Sequence, residues 1–249
     1  MAGILTLCAG PIGNLADAPP RLAEALSAAD VVYAEDTRRA RTLLDHLGVE
    51  TPLRSYFVGN EDSRSAELTD RLRSGANVAL VTDAGSPGIS DPGVSAVRAA
   101  LEAGAVVTGV PGPSAVTLAL GLSGLAADRF VFEGFLPRSG LDRAERIASI
   151  AGDQRTTVVF CAPGRLDADL DDLAERIPER EVVICREMTK VHEEVWRGRL
   201  SEAAAEWAER RVRGELTLVI SGGDAPEPDL ESGGGAPGRA GGPGGAPAQ

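Results

Sequence analysis

Four loops constrain this chain more than any other feature, each following an apolar run of strand length. They are Ala-Gly-Pro-Ile-Gly-Asn-Leu at 9–15, Ala-Glu-Asp-Thr-Arg-Arg at 34–39, the glycine- and proline-dense run at 82–93, and Val-Pro-Gly-Pro-Ser-Ala at 110–115. The runs before them cover 3–8, 31–34, 78–82 and 105–110. Helix-period segments lie between, at 37–47, 61–74 and 94–103, closed by Gly48, Gly75 and Gly104. Asp17 is expected to cap a further helix with prolines in its first turn, running through Leu22 and Leu26. Such alternation implies a parallel sheet with helices on its faces. Ligands bind such sheets beyond the carboxyl ends of the strands. Loops at corresponding strand ends therefore imply one shared pocket.

A second set follows, with strands expected at 130–132, 157–161, 182–186 and 215–221 and helices at 141–150, 166–177 and 201–213. An extended piece runs on to Trp196. The fold class is α/β, divided near 111–119 into two α/β domains, 1–115 and 116–223. From Asp224 the composition changes: the last 26 residues hold eight glycines and five prolines, with Leu230 the sole large aliphatic. Such a segment lacks the apolar surface to offset its ordering entropy, so 224–249 reads as a disordered tail.

Charge and composition narrow the function. A net charge of −12 argues against a protein that coats nucleic acid by neutralising phosphates. Aromatics at 4% are too few for a module that reads bases along a stacked platform. Three cysteines far apart, without a CxxC, and two histidines argue against a disulfide framework or metal centre, so no metal is expected. No run approaches a membrane span and no basic leader follows Met1, which reads as cytoplasmic.

The pocket lacks phosphate-cradling signatures. None of the glycine loops contains the lysine of a G-x-x-x-x-G-K-[ST] motif, and Gly10 and Gly13 have the wrong spacing for G-x-G-x-x-G. Glycines and prolines in alternation give a rigid, exposed main-chain surface. With Asp83 beside it, that surface suits a ligand with an adenosine edge, a cation and no phosphate.

Six motifs occur in order: Gly-Pro-Ile-Gly-Asn-Leu at 10–15, Ala-Glu-Asp-Thr-Arg at 34–38, Asp-Ala-Gly-Ser-Pro-Gly-Ile-Ser-Asp-Pro-Gly at 83–93, Pro-Gly-Pro-Ser-Ala at 111–115, Glu-Gly-Phe-Leu-Pro at 133–137, and Arg-Glu-Met-Thr-Lys-Val-His-Glu-Glu at 186–194. Together they resemble the bacterial small-subunit (16S) ribosomal RNA 2′-O-methyltransferase I family, within the tetrapyrrole (precorrin) methylase superfamily. The resemblance runs from about Ile4 to Gly222. It implies two α/β domains of the tetrapyrrole methylase type, S-adenosyl-L-methionine in the cleft between them, and a homodimer. The implied reaction is methylation of a cytidine ribose near the decoding centre, in the 16S RNA of the 30S subunit. By the same resemblance Pro11, Asp83, Gly85, Ser86, Ile89, Ser114 and Ala115 line the cofactor cleft, joined by Cys161 and Ala162 and by the last strand. The chain departs from the family at Gly10, where a threonine is usual. It departs again at Phe160–Arg165, where the usual run is Tyr-Glu-Ser-Pro-His-Arg.

A ribose hydroxyl is a poor nucleophile, so a general base is useful. Lys190 is the single lysine beside 24 arginines, and lysine accepts a proton where guanidinium cannot. It is expected to act as a base with a depressed pKa, or as a cation stabilising the nascent alkoxide. Asp91 and Glu35 are the acidic alternatives. Asp36, Arg38, Asn14, Asn60 and Arg186 are candidate substrate contacts. Asp36 equally suits a helix cap and the asparagines suit turns. His192 reads as a strand-face residue, Met188 and Trp196 as packing. Arg38, Arg39 and Arg41, and Arg210, Arg211 and Arg213 on the last helix, are solvated faces or RNA patches. A small-molecule methylase of the tetrapyrrole type and a non-catalytic ribosome-assembly module are the competing readings.

Overall fold

The computed structural model describes residues 2–208 and 210–223; the tail expected at 224–249 lies outside them. Among the described residues, ten strands form two five-stranded sheets. In the first, β1 (Ile4–Cys8), β2 (Val31–Ala34), β3 (Leu53–Ser55), β4 (Asn77–Val81) and β5 (Val106–Val110) lie in the order β3-β2-β4-β1-β5, all parallel. Consecutive residues of β2 and β4 feed different cores. Val31, Tyr33, Val78 and Leu80 pack with Leu68 and Leu72 of α3 (Glu61–Arg73) and Ala96 of α4 (Val94–Glu102). Val32, Ala34, Ala79 and Val81 pack with Leu22 and Leu26 of α1 (Pro20–Ser27) and Leu44 of α2 (Thr37–Leu47). A strand whose side chains alternate between two buried faces reads as an unbroken apolar run, which is how these strands read.

The second sheet has the order β6-β7-β10-β8-β9 and is mixed. Its strands are β6 (Phe130–Phe135), β7 (Thr156–Cys161), β8 (Glu181–Arg186), β9 (Glu194–Arg199) and β10 (Leu216–Ile220). Only β6 and β7 pair parallel; β10 runs antiparallel to β7 and β8, and β8 to β9. The same alternation holds. Val158, Val183 and Val219 face α5 (Ala115–Ser123), whereas Val159, Ile184 and Leu218 face α6 (Leu141–Gly152), α7 (Leu166–Arg176) and α8 (Leu200–Trp207).

Several expectations change. The piece expected to run extended to Trp196 is a turn over 187–193, and only its end from Glu194 enters β9, because β8 and β9 are joined without a helix and pair as antiparallel neighbours. Helix α5 occupies the segment read as a division, and β3 was not foreseen. Asp17 closes a short 3-10 turn capped by Asn14, and α1 starts at Pro20. Ala18 and Pro19 each precede a proline and stay extended, so the helix cannot begin earlier. The last helix ends at the buried Trp207, six residues short of expectation. Arg210, Arg211 and Arg213 therefore lie beyond it, with the Arg210 guanidinium 4.4 Å over the Trp207 ring. His192 sits in the exposed turn before β9, not on a strand. No helix among the described residues is long and apolar enough to cross a membrane.

Candidate active site

A cavity of about 320 Å³ lies where the carboxyl edge of the first sheet meets β7, β10 and the turn after β8. That volume suits a small-molecule ligand. The first wall is built from the loops after β1, β4 and β5: Ile12, Gly85, Ser86, Ile89, Asp91, Ser114 and Ala115 line it. These loops are stitched together through main chain. Gly10 N–H donates to the Gly85 carbonyl at 2.9 Å, and Ala9 N–H to the Val110 carbonyl at 3.0 Å.

The opposite wall is made of side chains. Phe160, Cys161 and Ala162 end β7, and Leu216 and Thr217 begin β10; Phe160 pairs with Thr217 and Cys161 with Leu216 across the ladder. Met188 and Phe135 complete the apolar surface. Behind it the Cys161 thiol donates to Asp169 Oδ2 at 3.2 Å. Asp169 is also paired with the buried Arg143 at 2.8 Å, and Arg143 reaches Asp172 and the Pro137 and Ala168 carbonyls. Burial, then the Asp169 charge, pushes the Cys161 thiol up, so it stays protonated.

Three non-glycine residues with positive φ border this cleft: Ser90 (60°), Glu187 (49°) and Thr189 (68°). Left-handed backbone at such residues costs energy and persists where the surroundings impose it, often at functional sites. Glu187 and Thr189 flank the lining residue Met188 and lead to Lys190, which stands beside the cavity and does not line it. Lys190 Nζ bonds Glu187 Oε1 at 2.8 Å and Glu215 Oε2 at 2.9 Å. Its aliphatic stem crosses to the first wall and lies on Gly13, where a Cβ would run into Lys190 Cε. A side chain at 13 is incompatible with this crossing.

Residues 5–204 match the tetrapyrrole (corrin/porphyrin) methylases. The chain is 50% identical to ribosomal RNA small subunit methyltransferase I of Mycobacterium bovis over 234 residues, 93% of this chain and 81% of the relative. It belongs to that methyltransferase family. A relative of the same name in Thermotoga maritima is 43% identical over 88% of this chain and 99% of its own length. Among solved structures, a uroporphyrin-III C-methyltransferase from Thermus thermophilus, complexed with S-adenosyl homocysteine, shares the fold at a TM-score of 0.63 and 22% identity, covering 88% of this chain and 97% of that one. Cobalt precorrin-4 methyltransferase does so at 0.65 and 18%, covering 88% and 94%.

In this family member the expected site residues divide into two groups. Gly85, Ser86, Ile89, Asp91, Ser114, Ala115, Cys161 and Ala162 line the cavity. Pro11 and Asp83 do not. Asp83 is occupied by its own chain: Oδ1 accepts the Asp36 N–H at 3.0 Å, and Oδ2 pairs with Arg39 at 3.1 Å, tying the loop after β2 to the loop after β4. Glu35 sits in that tie, and burial, then the Asp83 charge, raises its pKa. Burial, then the charges of Glu35 and Asp83, pushes Asp91 up to about 6.

The depressed pKa expected of Lys190 is not found. Burial pulls it down, but the hydrogen bonds it donates to Glu187 and Glu215, with their charges, outweigh burial and leave it above its ordinary value. Asp36 caps α2 through the Arg38 N–H and pairs with the Arg38 guanidinium, which holds its carboxyl well below the usual range. Asn14 accepts from the Ala16 N–H and Asn60 from the Phe57 N–H, both as turn residues. Arg186 donates to the Arg213 and His192 carbonyls and pairs with Glu194, fastening the turn that carries Lys190. The lining residues that the sequence did not single out are Ser90, Val116, Phe135, Pro163 and Met188, whereas Glu215, Leu216 and Thr217 belong to the last strand that the resemblance placed there. Among the described residues no group of three or more His, Cys, Asp or Glu is placed to hold a metal ion.

Proposed function

We propose that this chain transfers a methyl group from S-adenosyl-L-methionine to the ribose 2′-hydroxyl of a cytidine in small-subunit (16S) ribosomal RNA. The names of relatives up to 50% identical support the RNA substrate. The observation that carries the chemistry is a half-buried carboxylate, Asp91, set close to neutrality in the lining of a largely apolar cavity. The cavity fits the cofactor: Phe160, Met188 and Leu216 offer an adenine-sized apolar wall, and Ser86, Ser114 and Thr217 offer hydroxyls among exposed main-chain groups. When bound, the cofactor supplies an activated methyl on a sulfonium centre.

The protein's own part is placement and proton removal. Asp91, deprotonated, accepts the hydroxyl proton as the oxygen gains the methyl; a base with a pKa near the working pH is the effective one. Lys190, held as ammonium by Glu187 and Glu215, stabilises negative charge on that oxygen rather than taking its proton. Glu35 and Asp83, by their charges, keep Asp91 basic. We read residues 1–115 and 116–223 as two domains closing on the cleft, in a homodimer acting in the cytoplasm on the assembled 30S subunit.

The test is transfer of a tritiated methyl group to 30S subunits lacking the modification, with the labelled nucleoside identified. Label in 2′-O-methylcytidine is expected. Label in a base, or transfer only to a porphyrinoid, rejects the assignment. No cofactor binding by calorimetry, with no transfer to either, would leave a non-catalytic assembly module.

A further inference from the structure

Two neighbouring aromatics at the end of β3 face opposite ways. Tyr56 is fully buried, with its hydroxyl 2.9 Å from Ser65 Oγ and 2.6 Å from Ser95 Oγ. Its N–H donates to the Ala34 carbonyl at 2.7 Å, which extends the β2–β3 pairing by one residue. The next step along an extended chain points outward, and Phe57 is 44% exposed. The turn that follows then fixes the ring. Asn60 Oδ1 accepts the Phe57 N–H at 2.8 Å, its Nδ2 donates to Ser55 Oγ at 3.2 Å, and its own N–H closes on the Phe57 carbonyl at 2.8 Å. The ring rests on Gly59, where a Cβ would lie 2.7 Å from Phe57 Cε2. One part of the ring touches main chain and the remainder is open to solvent.

A lone exposed apolar side chain needs no explanation, so its surroundings decide. The turn sits beside Ala34–Asp36 on the same carboxyl edge of the first sheet that forms the cleft. Arg38, Arg39 and Arg41 open α2 nearby and Arg54 lies on β3; all four are exposed. Arg38 and Arg39 are already paired with Asp36 and Asp83, so Arg41 and Arg54 are the exposed cations of this corner that lack a carboxylate partner among the described residues. Phosphates with an unstacked base between them match the aromatic face and the two unpaired arginines, whereas an apolar protein surface leaves Arg41 and Arg54 without partners.

Resting on the ribosomal RNA reading above, we propose that Phe57 is a stacking platform for an unstacked nucleobase of the RNA substrate, with Arg41 and Arg54 on the phosphates beside it. A ring already fixed by Asn60 and Gly59 loses little freedom on binding, which favours affinity.

Steady-state methyl transfer to undermethylated 30S subunits tests this with Phe57→Ala, Phe57→Leu and Phe57→Trp. The Ala and Leu variants are expected to raise KM for the particle by about tenfold while kcat stays within about twofold, and Trp is expected to restore the KM. Gly59→Ala, which displaces the ring without removing it, is expected to raise KM by a smaller factor. A Leu variant equal to wild type would identify an apolar contact, such as a protein face, and overturn stacking. An Ala variant equal to wild type, or a loss confined to kcat, overturns the platform altogether. If wild type itself transfers no methyl to the particle, the functional reading fails and takes the platform with it. Transfer by wild type with an indifferent Phe57→Ala sinks the platform alone.

Discussion

The two walls of the cleft are made of different material. The first sheet ends five parallel strands at one edge, so its loops converge there and meet the cavity with main chain and carboxylates. The second sheet lies with β7 and β10 antiparallel, so the cavity meets paired side chains, Phe160 with Thr217 and Cys161 with Leu216. In the proposed reaction the first wall supplies proton removal through Asp91, and the second, Glu215 at its edge aside, supplies shape and apolar surface. Catalysis and holding should therefore fail separately when each wall is altered.

Asp91→Asn attacks the first wall and is expected to have the largest effect. Removing a general base costs roughly 10²- to 10⁴-fold, and cofactor binding measured by calorimetry should change little. The wild-type single-turnover rate should rise with pH through about 6 and then level off, because Asp91 must be deprotonated to act. That limb should be absent in the variant. Stability gives a second readout with its own sign. Burial raises Asp91 above its unfolded value of 3.8, so the folded state binds the proton more tightly. Folding is therefore favoured below that value and loses stability as pH climbs to about 6. Asp91→Asn should melt higher than wild type at pH 8, with the advantage fading towards pH 4. A variant that keeps both the acid limb and the rate would move the proton chemistry elsewhere.

Arg143→Met strikes the support of the second wall. It strands Asp169, which is 3% exposed, without its cation. Breaking such a buried pair costs about 3–5 kcal/mol, readable by urea denaturation. Asp172 is 44% exposed at the side chain and finds water instead. Phe160→Ala probes the same wall at its surface and should weaken S-adenosylmethionine by roughly tenfold through lost apolar contact, with kcat at saturating cofactor nearly retained. A large kcat loss in Phe160→Ala would erase the proposed separation of the walls.

The first wall was far more legible in the sequence than the second, for a physical reason. Helix α2 was placed at its observed bounds because Asp36 caps it and Gly48, at φ 68°, ends it. These are local signals. Loops after parallel strands are contiguous in sequence, so the residues 84–86, 89–91 and 114–116 that face the cavity announce themselves as motifs. The second wall depends on register between β7 and β10, strands separated by more than 50 residues, and no local signal fixes that pairing. Met188 read as packing because it is packing; its other side faces the cavity. Asp83 misled for the opposite reason. A carboxylate within a ligand loop looks free until the Asp36 N–H and Arg39 arrive from another strand. Lys190 followed the same pattern, since Glu215, which helps to fix its charge, lies 25 residues away.

Lys190 also spans the comparison, being rooted in the turn after β8 yet lying on Gly13 of the first wall. If it were the base, Lys190→Arg would lose at least roughly 10²-fold, because guanidinium does not accept the proton. The two carboxylates that hold it as ammonium predict otherwise. Below its raised pKa the side chain is a fixed cation, and none of the rate dependence near pH 6 arises from it. Lys190→Arg keeps that cation and its partners, and should fall by less than about fivefold, the loss reflecting a broader head group. Lys190→Met keeps the stem on Gly13 but removes the charge, leaving Glu187 and Glu215 facing each other, and should lose more than the Arg variant at every pH. Rates for the three proteins between pH 5 and 9 decide the matter. A hundredfold deficit in Lys190→Arg, with the acid limb gone, would make the lysine the base and reduce Asp91 to a neighbour that tunes it.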